Sequence, residues 1–142
     1  IDYMGNDTDL RLPENYNGQG YEIYNQAFYG RNEAENNPIY SVIIPDGVTK
    51  IHERAFAACS QLKEIVIGQG LEYLEFGVFD GCSGLKAIYY NGTEYSWNGI
   101  YQQGWSNSNY FQLAPRYYYS ETAPTGDGNY WRYVNGVPTV WR

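Results

Sequence analysis

The sequence predicts an α/β solenoid. In this reading a small parallel sheet runs along one side of a short stack of coils, short helical or 3₁₀ turns line the other, and a β-hairpin caps the C-terminal end. Three observations carry the prediction. First, Ile39, Val42, Ile44, Val48, Ile51, Ala55-Phe56 and Cys59 are answered 23 residues later by Leu62, Ile65, Ile67, Leu71, Leu74, Val78-Phe79 and Cys82. A third copy opens with Leu85, Ile88 and Tyr90. A register kept over consecutive units marks a repeat, and a coil this short buries its apolar side only by stacking on its neighbours. Second, each unit joins a β-branched run to a later Phe and Cys, so the strand and the plug of the core are both specified locally. Third, the register stops at Tyr90, and Asn135-Gly136 then separates two alternating segments, which is a type I′ hairpin signal.

The 142 residues are expected to form one domain, divided into an irregular N-terminal part (1–38), the regular 23-residue repeats (39–90) and a C-terminal cap (91–142). Residues 1–13 read as an opening segment in which Leu10 and Leu12 match Val42 and Ile44. A polar loop follows (ENYNGQG, 14–20). Ile23 and Ala27-Phe28 stand 28 residues before Ile51 and Ala55-Phe56. The loop RNEAENNP at 31–38 therefore reads as an insertion, tolerable because closure entropy grows slowly with length.

In the regular units, Val42-Ile43-Ile44 and Ile65-Val66-Ile67 read as short strands ended by Pro45 and Gly68. Their first and third side chains point inward and the middle one outward. Val48/Ile51 and Leu71/Leu74 read as apolar groups on the inner side of a turn. HERAFAACSQL and EFGVFDGCSGL carry the short helix or 3₁₀ turn. Leu10, Val42, Ile65 and Ile88 should lie one above another. In the cap, 94–102 reads as one or two helical turns bearing Trp97 and Ile100, and 103–110 as irregular. The segment 116–120 is read as the last rung of the sheet, 121–128 as a loop. The hairpin 130–141 is read as the lid that shields the end of the core.

Composition bounds the function. Net charge is -7, which argues against nucleic acid or an anionic membrane as partner. No apolar run approaches the ~20 residues of a membrane helix, so no membrane insertion is expected within this segment. The first residue is Ile1 rather than Met, read as a mature or shortened product, so any signal or anchor is expected upstream of it. Seventeen Tyr, four Trp and five Phe supply rings suited either to filling thin layers or to recognition.

The units IIPDGVTKIHERAFAACSQLKEIVI and GLEYLEFGVFDGCSGLKAIYY resemble the BspA-type leucine-rich repeats of bacterial surface proteins. The pattern is a strand ending in Ile-Pro, then V-x-x-I, then AF-x-x-C-x-x-L. The likeness covers roughly residues 10–90, and YYYSETAPTGDGNYWRYVNGVPTVW resembles the C-terminal cap found on such proteins from gut anaerobes. Arg31 departs from the pattern at the cysteine position of the first unit. The resemblance implies a short leucine-rich-repeat solenoid in a secreted or surface-attached adhesion or recognition protein. The implied partner is a protein, such as a host extracellular-matrix component, and no catalytic residue or cofactor is implied.

An independent search for chemistry leads the same way. His52 is the one histidine, and no second ligand stands at zinc spacing. A nucleophile made from His52 with Cys59 or Cys82 is disfavoured, because both cysteines occupy one repeat position and repetition points to packing. Buried free thiols are favoured over a disulfide between them. Glu33, Glu35 and Asp127 read as solvated loop residues, and no carboxylate pair is set for glycosidase work. The remaining signal is a surface. Ile43, Val66, Tyr89 and Tyr118 are expected to face outward as an apolar stripe flanked by Ser41, Glu64 and Ala87. Such a stripe either binds a protein or is covered, by a further domain, by the tail or by a second copy. The alternatives are a carbohydrate-binding module stacking sugars on Trp97, Trp105, Trp131 or Trp141, and a structural spacer with no ligand.

Overall fold

The computed structural model describes residues 8–29, 39–103 and 109–142. In chain order its elements are β1 (Asp9–Arg11), β2 (Tyr21–Ile23), β3 (Ser41–Ile44), β4 (Val48–Ile51), β5 (Glu64–Ile67), β6 (Tyr73–Leu74) and β7 (Ala87–Tyr90). Then come α1 (Glu94–Asn98), β8 (Tyr101–Gln102), α2 (Asn109–Leu113), β9 (Arg116–Tyr119), β10 (Tyr130–Val134) and β11 (Val137–Val140). The β-branched runs pair side by side, in parallel, as the 23-residue register requires. Leu10 stands against Val42, Val42 against Ile65, and Ile65 against Ile88. The resulting sheet has the order β1-β3-β5-β7-β9-β10-β11, and only its last pair, the hairpin, is antiparallel.

The solenoid, its parallel sheet and its C-terminal hairpin follow the sequence reading, and the finer geometry of each coil adds to it. Val48/Ile51 and Leu71/Leu74 do not sit on a turn. Val48 and Ile51 begin and end β4 and Leu74 ends β6, in a second parallel sheet, β2-β4-β6-β8, while Leu71 lies just before its strand. Between the sheets, Gly47 and Gly70 pass so close to the coil below that a Cβ would meet Glu14 O at 1.9 Å and Asp46 O at 1.8 Å. Side chains larger than hydrogen do not fit there without backbone movement.

The third side carries turns and not continuous helix. Arg54 and Gly77, one repeat apart, are left-handed, as are Ala58 and Gly81. Residues at positive φ interrupt helical propagation. Their neighbours bond across coils instead: Phe56 N–H donates to Val78 O and Ala58 N–H to Asp80 O. Stacking the coils therefore satisfies the donors that a helix would satisfy internally.

The core is a set of ladders. Phe28, Phe56, Phe79 and Phe111 stack in succession at 4.9, 5.5 and 4.8 Å between ring centroids. Cys59 and Cys82 are free and buried, and their thiols donate to Phe28 O and Phe56 O of the preceding coil. The bond with the Cys59 thiol and burial together hold the Cys82 thiol far above its ordinary range.

The end of the core is closed by α1 and α2, which bring Trp97 and Phe111 into it, joined by Ile100 just after α1. The closing role expected of the hairpin thus falls to two helical turns, the second of which begins at Asn109 and Tyr110, the end of the segment expected to be irregular. α1 starts on Thr93, whose hydroxyl accepts from Ser96 N–H while Ser96 Oγ accepts from Thr93 N–H, a reciprocal cap. At the hairpin tip, Asn135 (φ 51) and Gly136 (φ 77) adopt the left-handed pair of a type I′ turn. The insertion 31–38, with Arg31, Glu33 and Glu35, lies outside the described residues, as does Trp105.

Candidate functional site

Strand alternation sends one row of side chains out of the seven-stranded sheet: Arg11, Ile43, Val66, Tyr89 and Tyr117, each paired with the next. The expectation for Tyr118 is corrected. Tyr118 pairs with Tyr90, in the inward row, and its ring stands edge-on to Tyr90 at 6.4 Å. The slip has a physical cause. Arg116 occupies the inward position next to Ile88, which charge would ordinarily forbid. Here its guanidinium lies 4.7 Å from the centre of the Trp97 ring and its Nε donates to Tyr118 Oη.

The expectation that the whole row is exposed is corrected too. Val66 and Tyr89 are each only 6% exposed, because Trp131 of β10 lies against this face and is itself fully buried. Its ring sits 5.4 Å from Tyr89, 5.3 Å from Tyr119 and 4.9 Å from Tyr133. Its indole Nε1 donates to Tyr90 O at 2.7 Å, so the polar end of the ring is satisfied in the buried position. The tail is therefore what covers the stripe, over its C-terminal half.

Ile43 stays half-exposed and Glu64 exposed. Tyr133, two residues beyond Trp131 and so on the same side of β10, closes a cleft of about 210 Å³ over this open half. Ile43 and Val66 line the cleft with Arg11, Glu14, Asp46 and Asn91. Asp46 Oδ1 accepts from Gln69 N–H at 2.8 Å and from Asn91 Nδ2 at 3.3 Å, which orients its carboxylate. Burial holds the Tyr133 phenol above its ordinary range. The Arg11 guanidinium opposes that rise, and Glu14 and Asp46 reinforce it.

The sequence reading missed Arg11, Asp46 and Tyr133 as parts of one site. A signal for Tyr133 existed: Trp131 and Tyr133 share a face of any strand through 130–134. What the sequence did not hold was the direction in which the hairpin leans.

The tryptophans separate clearly. Trp97 and Trp131 are buried and offer no face to a sugar, which corrects both as stacking candidates. Trp141 is half-buried, with the Arg132 guanidinium 3.8 Å from its ring centre and its Nε1–H donated to Ser120 O. It borders a groove of about 290 Å³ with Pro124, Tyr130 and Arg142. His52 spans three coils: Nε2 lies 2.6 Å from Glu22 and Nδ1 2.5 Å from Glu75. Among the described residues no three His, Cys, Asp or Glu side chains converge as a metal site, and no helix is long and apolar enough to cross a membrane.

Comparison with known proteins accords with this architecture. The BspA type leucine rich repeat region matches residues 21–112, in six copies. The chain is similar to a leucine rich cell surface protein from Faecalibacterium prausnitzii A2-165, with 32% identity and a TM-score of 0.51 over 56% of this chain. It spans only 20% of that protein's length. No curated protein matches it. With the repeat covering well over half of its length, the chain belongs to the BspA-type leucine-rich repeat family.

Proposed function

We propose that the chain is a non-enzymatic recognition or adhesion module of a surface or secreted bacterial protein. It binds a protein partner across the part of the sheet's outer face that its own hairpin leaves open. The single observation that carries this reading is the cleft over Ile43, where half-exposed apolar surface is ringed by charged and phenolic groups, as recognition sites are. Glu64, exposed and two residues before Val66 on the same strand, extends the open face beyond the cleft. The cell-surface relative supports the location. The partners of the two groups weighed as a nucleophile and its base accord with the non-enzymatic part: the Cys82 thiol donates to a main-chain carbonyl and His52 is held by Glu22 and Glu75.

The test is a binding screen of the purified chain against immobilised extracellular-matrix proteins and a polysaccharide array. Glu64→Lys and Ile43→Asp serve as paired surface variants, each checked for an unchanged fold. The expected result is saturable binding to a protein, weakened roughly tenfold or more by Ile43→Asp, the scale of a central contact residue. Binding to glycans alone, abolished by Trp141→Ala, transfers the site to the Trp141 groove, the second reading that the half-exposed indole favours. Silence in both panels leaves the spacer reading.

A further inference from the structure

The cleft beneath Tyr133 has a charge and shape that narrow the chemistry of its occupant. We propose that it receives a basic side chain, lysine or arginine, projected by the protein partner. This rests on the recognition reading above and adds the kind of residue recognised.

Four features point the same way. Glu14 and Asp46 line the cleft against a single cation, Arg11, so the lining carries a net negative charge. The chain as a whole carries -7, which draws cations toward a recessed acidic site. Asp46 is held by two donors before any ligand arrives, so little ordering is lost on binding. The floor of Ile43 and Val66 and the Tyr133 ring give an aliphatic stem apolar contact and a cationic head an aromatic face. A bare metal ion would use none of that apolar surface. An anion would meet two carboxylates against one guanidinium. Arg11 thus acts against the occupant, as a selectivity element that disfavours weakly fitting cations.

The experiment titrates the full isotope-labelled chain with Nα-acetyl-lysine methylamide and, separately, the arginine analogue, with N-acetyl-glutamate methylamide as the anionic control. Shifts are followed at Ile43, Val66 and Tyr133. Saturable shifts confined to these residues and seen only with the basic probes are expected. Glu14→Gln and Asp46→Asn should each weaken binding about two- to fivefold, and Arg11→Gln should strengthen it by a similar factor, as for partly exposed charge pairs. Glu14→Gln is the cleaner variant, because Asp46 also ties Gln69 and Asn91 in place. Equal response to the glutamate probe, no response to the basic ones, or weaker binding in Arg11→Gln overturns the proposal. The two readings fail separately. Protein binding that depends on Ile43 without any response to the basic probes removes this inference and keeps the recognition module. Basic-probe binding with silence in the protein screen keeps the cleft's choice of a basic side chain and removes the screened proteins as its source.

Discussion

The regular coils and the cap use aromatic rings in opposite ways. In the coils the rings are nearly parallel: Phe28, Phe56 and Phe79 follow one another at interplanar angles of 6° and 13°, and Phe111 of α2 continues the stack at 10°. Around the two buried cap tryptophans they meet at angles: Trp131 stands at 53° to Tyr89, 75° to Tyr119 and 74° to Tyr133, and Trp97 at 75° to Tyr90. A repeat translates one coil onto the next, so equivalent rings inherit one orientation and can only stack. Where the repeat ends, each ring is free to take the edge-to-face geometry its quadrupole favours. The ladder is thus cheap to encode and uniform, whereas the cap needs a separate partner for each ring. That is why the cap, and not the ladder, can shape a cleft.

The largest expected effect comes from breaking the ladder in its middle. Phe79→Ala removes a fully buried ring that touches both Phe56 and Phe111. The expected loss is about 3–5 kcal/mol of stability, read from urea unfolding by far-UV circular dichroism. Because Trp97 and Phe111 belong to the same core cluster as Phe79, tryptophan fluorescence should lose the same amount in the same transition. A fluorescence midpoint left in place while the dichroism midpoint falls would show that coils and cap unfold as two units.

A smaller effect tests the cap alone. Trp131→Phe keeps an aromatic body but withdraws the donor to Tyr90 O and shrinks the ring that covers it. The cost should be about 1–3 kcal/mol, below that of Phe79→Ala. It should come with increased hydrogen exchange in β10 and at Tyr89, because the cover of the outer row is loosened. A larger loss than that of Phe79→Ala would mean that the hairpin, and not the ladder, dominates stability.

This contrast also explains how much of the molecule was legible in the sequence. Inside the repeat, position dictates environment: the rung Leu10–Val42–Ile65–Ile88 follows from spacing alone, and the structure keeps it. The family pattern was readable for the same reason. The V-x-x-I strands of the second sheet escaped notice because four residues with two apolar ends fit a turn equally well. The left-handed Arg54 and Ala58 carry no glycine to announce them. Beyond Tyr90 the periodic argument had nothing to count. A run of three tyrosines at 117–119 leaves either parity open, and Arg116 in an inward row contradicts ordinary patterning until Trp97 is seen beneath it. The candidate site joins Arg11, Asp46 and Tyr133, residues far apart in sequence, and depends on the lean of the hairpin, which no local residue specifies.

The subtlest prediction concerns alkali. Tyr21, Tyr89 and Tyr133 are all held above the ordinary phenol value of 10.0: burial is the first cause in each, joined by Glu14 at Tyr21 and by Glu64 and Tyr117 at Tyr89. An unfolded phenol therefore ionises before a folded one. Stability is fully present below about pH 10 and declines as pH rises from there through the folded values. Urea midpoints should hold steady up to about pH 9 and fall by about pH 11, the span over which unfolded phenols ionise. Tyr89→Phe removes one of these groups from the row that the hairpin covers while keeping its ring in place. Its midpoint should accordingly fall less steeply over the same span, although at neutral pH it differs little from the parent. A parent midpoint that stays level through pH 11 would mean that these phenols ionise in the folded state as easily as in the unfolded one. The hairpin would then be opening at alkaline pH without loss of the coils, and coils and cap would be separable after all.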